Sequence, residues 1–128
     1  MAIINATKDD FEATISKEGI VLVDFWASWC GPCRMFAPVF ENSSEQHPDI
    51  TFVKVNTEEE YELAAMFQIQ SIPTLMAFRD QILLYAQPGA LPAAGLENLI
   101  EQIQKLDMEE IKQQIEKRAR CFDKQLTL

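Results

Sequence analysis

Cys30 and Cys33 are separated by Gly31-Pro32 and follow the apolar run Ile20-Val21-Leu22-Val23-Asp24-Phe25-Trp26 almost directly. Thiols at that spacing can close a small disulfide ring or stand in contact as a dithiol. The run is β-branched and aromatic apart from Asp24, which reads as a central parallel strand. Pro32 suits the first position of a helix, where a missing N–H costs nothing, and the helix is expected to run from Cys33 to Gln46. Cys30 then lies just ahead of a helix N-terminus, whose free N–H groups and dipole favour the thiolate. Disulfide exchange needs a thiolate with access to the sulfur it attacks. Cys30 is therefore the candidate nucleophile, expected to be accessible, and Cys33, one turn deeper, the candidate resolving thiol. The competing readings are a static disulfide and half of a zinc site. A closed zinc site needs about four ligands, whereas the chain offers one further cysteine, Cys121, and one histidine, His47, both remote.

Asp24 interrupts the strand just before the thiols. Burial raises a carboxyl pKa and is unfavourable unless the group is used, so Asp24 is a candidate acceptor of the Cys33 proton, through water. Trp26 reads mainly as a packing residue with a supporting role.

The elements needed to hold these groups can be read along the chain. Ile3-Ile4 is expected to start a short edge strand, and Thr7 to cap a helix that ends before Gly19. Pro38 should kink the active-site helix, so that its first turn faces the thiols while the rest packs on the sheet. Ile50 to Val55 is a third strand, and Glu58 to Phe67 a helix with Leu63, Ala64 and Phe67 inward. Thr74 to Phe78 and Ile82 to Tyr85 form a hairpin, although its turn lacks glycine. Gly89, Pro92 and Gly95 mark a loop before a helix from Leu96 to Leu106. Met35 and Phe36 are expected in the core, Arg34 in solvent, and His47 in a surface loop. This alternation gives an α/β fold, a three-layer α/β/α sandwich around a mixed sheet.

At 128 residues the chain is expected to be one domain with one core. Its net charge is −9, and residues 1–106 hold 15 acids against 6 bases, which argues against nucleic acid as a partner. No stretch approaches the ~20 apolar residues of a membrane span, and Met1 to Asn5 shows no signal-peptide pattern. A reducing cytoplasm is the expected location, where a C-x-x-C pair is more often catalytic or metal-binding than structural.

The segment Val23-Asp24-Phe25-Trp26-Ala27-Ser28-Trp29-Cys30-Gly31-Pro32-Cys33 resembles the active-site segment of the thioredoxin family, and Ser71-Ile72-Pro73-Thr74-Leu75 resembles that family's cis-proline loop. The resemblance covers residues 2 to 106 and implies a thioredoxin fold with a central five-stranded sheet. It makes Pro73 a cis-proline that places the Ile72 backbone beside Cys30, where an extended substrate can pair with it. Trp29, Gly31, Pro32, Ile72, Pro73, Gly89 and Ala90 would then form a flat, mostly apolar docking surface. Lys54 resembles the family lysine near the buried acid; the bland alternative is a partly solvated Asp24–Lys54 ion pair. The resemblance further implies a protein-disulfide reductase that binds no cofactor and receives electrons from NADPH through thioredoxin reductase. Its other partners would be disulfide-containing proteins, and it is expected to be a monomer. Oxidising and isomerising relatives carry a histidine between the thiols, which makes the disulfide more oxidising; Gly31-Pro32 lacks that charge and favours a reductant. A redox-independent binding subunit is the rival from another class.

Residues 107–128 extend past the resemblance, giving a 1–106 domain and a helical extension. Asp107 is the expected cap, with Glu110 at the capping-box position. Met108, Ile111, Ile115, Ala119, Phe122 and Leu126 recur at spacings of three and four, an apolar seam. The favoured expectation is that this helix folds back on its own domain; a partner or self-association surface and a mobile tail are the alternatives. Cys121 is expected to be inert.

Overall fold

The computed structural model describes residues 3–126, with side chains described to residue 120. Five strands, β1 (Ile3–Asn5), β2 (Ile20–Trp26), β3 (Thr51–Asn56), β4 (Thr74–Arg79) and β5 (Ile82–Pro88), form one sheet in the order β1-β3-β2-β4-β5. The β1–β3 and β2–β3 pairs are parallel, and the β2–β4 and β4–β5 pairs are antiparallel. β2 is thus the hub of a mixed sheet, as its apolar run requires.

Because side chains alternate across a strand, β2 supplies two cores at once. Ile20 and Leu22 pack with Phe36, Phe40, Phe52, Leu75, Leu96 and Ile100 beneath α2 (Gly31–Gln46) and α4 (Ala93–Lys105). Val21, Val23 and Phe25 pack on the opposite side with Phe11 of α1 (Phe11–Ile15) and Leu63 of α3 (Tyr61–Met66). The same alternation puts Asp24 and Trp26 on the α2 side. The three-layer sandwich is therefore the observed architecture.

Several boundaries differ from expectation for local reasons. α1 begins at Phe11 rather than directly after Thr7 as its cap: residues 8–10 form a turn, in which the Asp10 carboxylate reaches back to accept the Thr7 N–H at 2.7 Å. α3 begins at Tyr61 rather than Glu58: the Glu58 N–H is taken by the Asn56 side chain and its carboxylate by Ser28. α4 starts three residues early, capped at Pro92. α2 includes Gly31 and runs through Pro38, which faces outward. Met35 is not core but 75% exposed, while Phe36 beside it is buried. His47 caps the end of α2, and its Nε2 lies 2.6 Å from Glu97 on α4, whose other carboxylate oxygen accepts from Ser43 at 2.9 Å.

The hairpin turn without glycine places Asp80 and Gln81 at positive φ, 51° and 70°. The mirror-image turn this makes matches sheet twist but costs non-glycine residues roughly 1–2 kcal/mol each. Tertiary bonds offset that cost: Asp80 exchanges backbone and carboxylate bonds with Gly19, and the Gln81 amide donates to the Ser16 carbonyl.

α5 (Met108–Leu126) is present, with the Asp107 carboxylate accepting the Glu110 N–H at 3.2 Å, as the capping pattern predicts. The expectation that it folds back on its domain is overturned over most of its described length. Met108 is buried and Ile111 half-buried, but residues 112–120 are all exposed, including Ile115 at 46%. Cys121, Phe122 and Leu126 lie outside the residues whose side chains are described.

Arg79 closes the lower end of the fold. Its guanidinium donates to the carbonyls of Ile103 at 2.7 Å, Leu106 at 3.3 Å and Gln104 at 3.4 Å, the otherwise orphaned end of α4. Replacing Arg79→Ala should cost about 1–3 kcal/mol, the value of hydrogen bonds to a charged group. A lowered urea midpoint with an unchanged m-value is the expected reading.

Candidate active site

The sharp turn Ala27-Ser28-Trp29 carries the chain from β2 into α2, and Cys30 is the helix N-cap. Its Sγ occupies the place of a capping oxygen and accepts the Cys33 N–H at 3.2 Å. Sulfur chemistry and helix capping therefore share one atom. Cys30 and Cys33 are joined as a disulfide across one helical turn, with Cα atoms 5.2 Å apart. Gly31 and Pro32 are exposed between them.

Cys30 is not accessible in this oxidised state. It is 4% exposed, because its sulfur is bonded to Cys33 and packed with Ala27, Trp26 and Ile72. The Ile72 carbonyl oxygen lies 3.6 Å from Cys30 Sγ. The Ile72–Pro73 bond is cis, and the Pro73 carbonyl accepts the Gly89 N–H at 2.8 Å. Five of the seven residues of the anticipated docking surface, Trp29, Gly31, Pro32, Gly89 and Ala90, are exposed, Trp29 at 66%. Ile72 is half-buried and Pro73 buried, so their loop offers backbone more than side chain.

Asp24 is 1% exposed, and neither carboxylate oxygen has a hydrogen-bond partner. Burial pushes its pKa from an ordinary 3.8 up to about 7; the opposing pull of Lys54 is smaller. Asp24 and Lys54 are register partners across β2 and β3, yet no Asp24–Lys54 contact is among the ion pairs of the described residues. The Lys54 ammonium sits instead over the Trp26 ring, 4.6 Å from its centroid, a cation–π arrangement. The bland ion-pair reading of these two residues does not describe this geometry.

Two anchors escaped the sequence reading. The Glu58 carboxylate accepts both the backbone N–H and hydroxyl of Ser28, at 3.1 and 2.8 Å. Thr57 donates its N–H and hydroxyl to the Trp26 carbonyl, at 2.8 and 3.0 Å. Together they pin the turn that presents Cys30. Thirty residues separate Glu58 from Ser28, and only the parallel register of β2 with β3 brings the two together.

The thioredoxin family model matches residues 2–102. The chain belongs to the thioredoxin family. It is 50% identical over 112 residues to "Putative thioredoxin 2" of Streptomyces coelicolor, covering 88% of this chain and 84% of that protein. It is 41% identical over 103 residues to "Thioredoxin" of Bacillus subtilis, covering 80% and 98%. A third relative, "Thioredoxin-1" of Saccharomyces cerevisiae, is 39% identical over 88 residues, 69% and 85% of the two chains. As a thioredoxin, the protein is a protein-disulfide oxidoreductase whose working group is the Cys30–Cys33 disulfide, and such proteins need no bound cofactor. No helix among the described residues is long and apolar enough to cross a membrane. α5 lies beyond the family match.

The buried acid makes stability depend on pH in a direction that can be worked out. Below about pH 4 Asp24 is protonated in folded and unfolded chains alike, and its ionisation takes nothing from stability. Between about pH 4 and 7 the unfolded chain releases the proton while the folded chain keeps it, so stability falls across that window. Above pH 7 the loss is complete, at most about 4 kcal/mol for about three pKa units. Asp24→Asn should therefore match the parent near pH 4 and exceed it increasingly up to about pH 7. Urea unfolding across that range checks this; a difference independent of pH would contradict it.

Proposed function

We propose that this thioredoxin works as a cytoplasmic protein-disulfide reductase in which Cys30 attacks and Cys33 resolves. The observation that supports the assignment is the Cys30 sulfur at the N-cap of α2, accepting the Cys33 N–H 3.2 Å away beside the cis-proline loop. In the dithiol that position favours the Cys30 thiolate.

The Cys30 thiolate attacks one sulfur of a substrate disulfide. That S–S bond breaks, a Cys30–substrate disulfide forms, and the other substrate sulfur leaves as a thiolate. Cys33 gives its proton to Asp24, through water, and attacks Cys30 Sγ. The mixed disulfide breaks, the second substrate thiolate leaves, and the Cys30–Cys33 disulfide remains. Two electrons have passed to the substrate, and NADPH restores them through thioredoxin reductase. An Asp24 carboxyl with a pKa of about 7 can accept and release a proton at neutral pH, as an ordinary carboxyl could not.

Ile72, held at the cis-proline loop, and Gly89, tied to that loop through the Pro73 carbonyl, offer backbone for an extended substrate segment. Trp29, Gly31, Pro32 and Ala90 supply exposed surface around it, while Trp26 packs against the thiols and Lys54 lies over its ring. Backbone pairing gives affinity without demanding a particular side-chain sequence, which suits a reductase of many proteins. Each chain holds a whole redox centre, so one chain is the catalytic unit.

Insulin disulfide reduction with NADPH and thioredoxin reductase tests the reading. The parent protein should turn over, Cys30→Ser should be inactive, and Cys33→Ser should accumulate a mixed disulfide visible by non-reducing electrophoresis. In the reduced protein, alkylation should label Cys30 much faster than Cys33. No turnover, or equal labelling, would overturn the assignment.

A further inference from the structure

α5 carries an apolar seam that its own domain covers at Met108 and partly at Ile111, but not at Ile115 or Ala119. Past Ile111 every described side chain is exposed, and Lys112, 3.8 Å from Asp80, is the last described side chain with an ion-pair contact to the body. The seam positions 108, 111, 115, 119, 122 and 126 follow spacings of three, four, four, three and four. At 100° per residue they fall within one narrow stripe along the helix. In proteins a helix gains most of its stability by covering such a stripe rather than from propensity.

The spacing also reads nearly the same from either end. Turned about Lys117, 115 falls beside 119 and 111 falls at 123, next to 122, so an antiparallel second copy sets the uncovered part of one stripe against that of the other. Charge follows the same symmetry. Residues 107–116 hold four acids and one base, a net −3, and residues 117–126 hold four bases and one acid, a net +3. Antiparallel pairing lays each acidic half, and the opposed helix dipoles, against their complements. A parallel pair would instead bring two bodies, each −9 over residues 1–106, to the same end. The antiparallel pair holds them apart by the helix length, about 28 Å, several times a Debye length of roughly 8 Å at physiological salt. It also sets the basic half of each helix close to the acidic body of the other.

We propose that α5 is a self-association element: two copies of this chain pair antiparallel through the stretch of their seams from Ile111 onward, leaving both redox centres free. The interface is small, so the dimer forms and dissolves with concentration. The redox function does not depend on it, and the two readings fail separately.

Sedimentation velocity of the full chain, from low micromolar to near-millimolar concentration with reductant to keep Cys121 a thiol, tests this directly. A monomer–dimer equilibrium that weakens with salt is expected, with Ile115→Asp monomeric throughout and unchanged in insulin reduction. The triple variants Asp107→Lys/Glu109→Lys/Glu110→Lys and Lys117→Glu/Arg118→Glu/Arg120→Glu should each self-associate at least tenfold more weakly and regain dimer when mixed. A monomeric parent at the highest concentration, a dimer seen only without reductant, or an Ile115→Asp dimer as strong as the parent would overturn the proposal. So would a mixed charge pair no tighter than its components. Binding to anionic vesicles by a chain that stays monomeric would assign the seam to another occupant.

Discussion

A sulfur atom placed where a helix expects a capping oxygen is the constraint on which this molecule depends. The first turn of α2 needs an acceptor for the Cys33 N–H, and Cys30 Sγ provides it at 3.2 Å. That position fixes where the sulfur sits. The sulfur must also emerge at the end of β2, the strand with partners on both sides and cores on both faces. Moving the turn by one residue would reverse the alternation and carry the thiols away from the cis-proline loop. Glu58 and Thr57, arriving from the end of β3, hold that turn in place.

The same strand carries a burden that packing alone would not select. A carboxylate without hydrogen-bond partners stands inside an otherwise apolar strand, and the nearest cation is engaged with the Trp26 ring. Burial and function pull in opposite directions here. An apolar residue at position 24 would remove the cost of burying a carboxylate, but it would also remove the proton acceptor proposed for Cys33. The sheet around it is closely packed, with Phe25, Phe36, Phe40 and Phe52 fully buried, and can tolerate that local cost.

Much of the fold was legible because its signals were local. The β-branched run of β2, the Gly-Pro step into α2 and the apolar spacing of α4 each specify an element within a few residues. The late starts of α1 and α3 have one cause: a side chain made a bond the sequence does not announce. Asp10 turned back to Thr7, and Glu58 was claimed by Ser28 thirty positions away. His47 looked like a loop residue because its partner, Glu97, belongs to another helix. The burial of Cys30 was missed for a different reason. Exposure was inferred from the helix end, whereas the disulfide and the Ile72 loop together cover the sulfur.

The guanidinium of Arg79 has a consequence for how such a chain can be lengthened. A helix that ends a domain leaves raw carbonyls, and whatever follows them ordinarily has to help close them. Here a side chain from the sheet already does so, at Ile103, Gln104 and Leu106, before α5 begins. The junction at Leu106-Asp107 is therefore a finished edge. Beyond the first turn of α5, where Met108 packs on the domain, new sequence attached there can diverge, lengthen or be exchanged while the redox centre, at the opposite end of β2, keeps its geometry. An added segment at such a join is free to evolve for assembly alone.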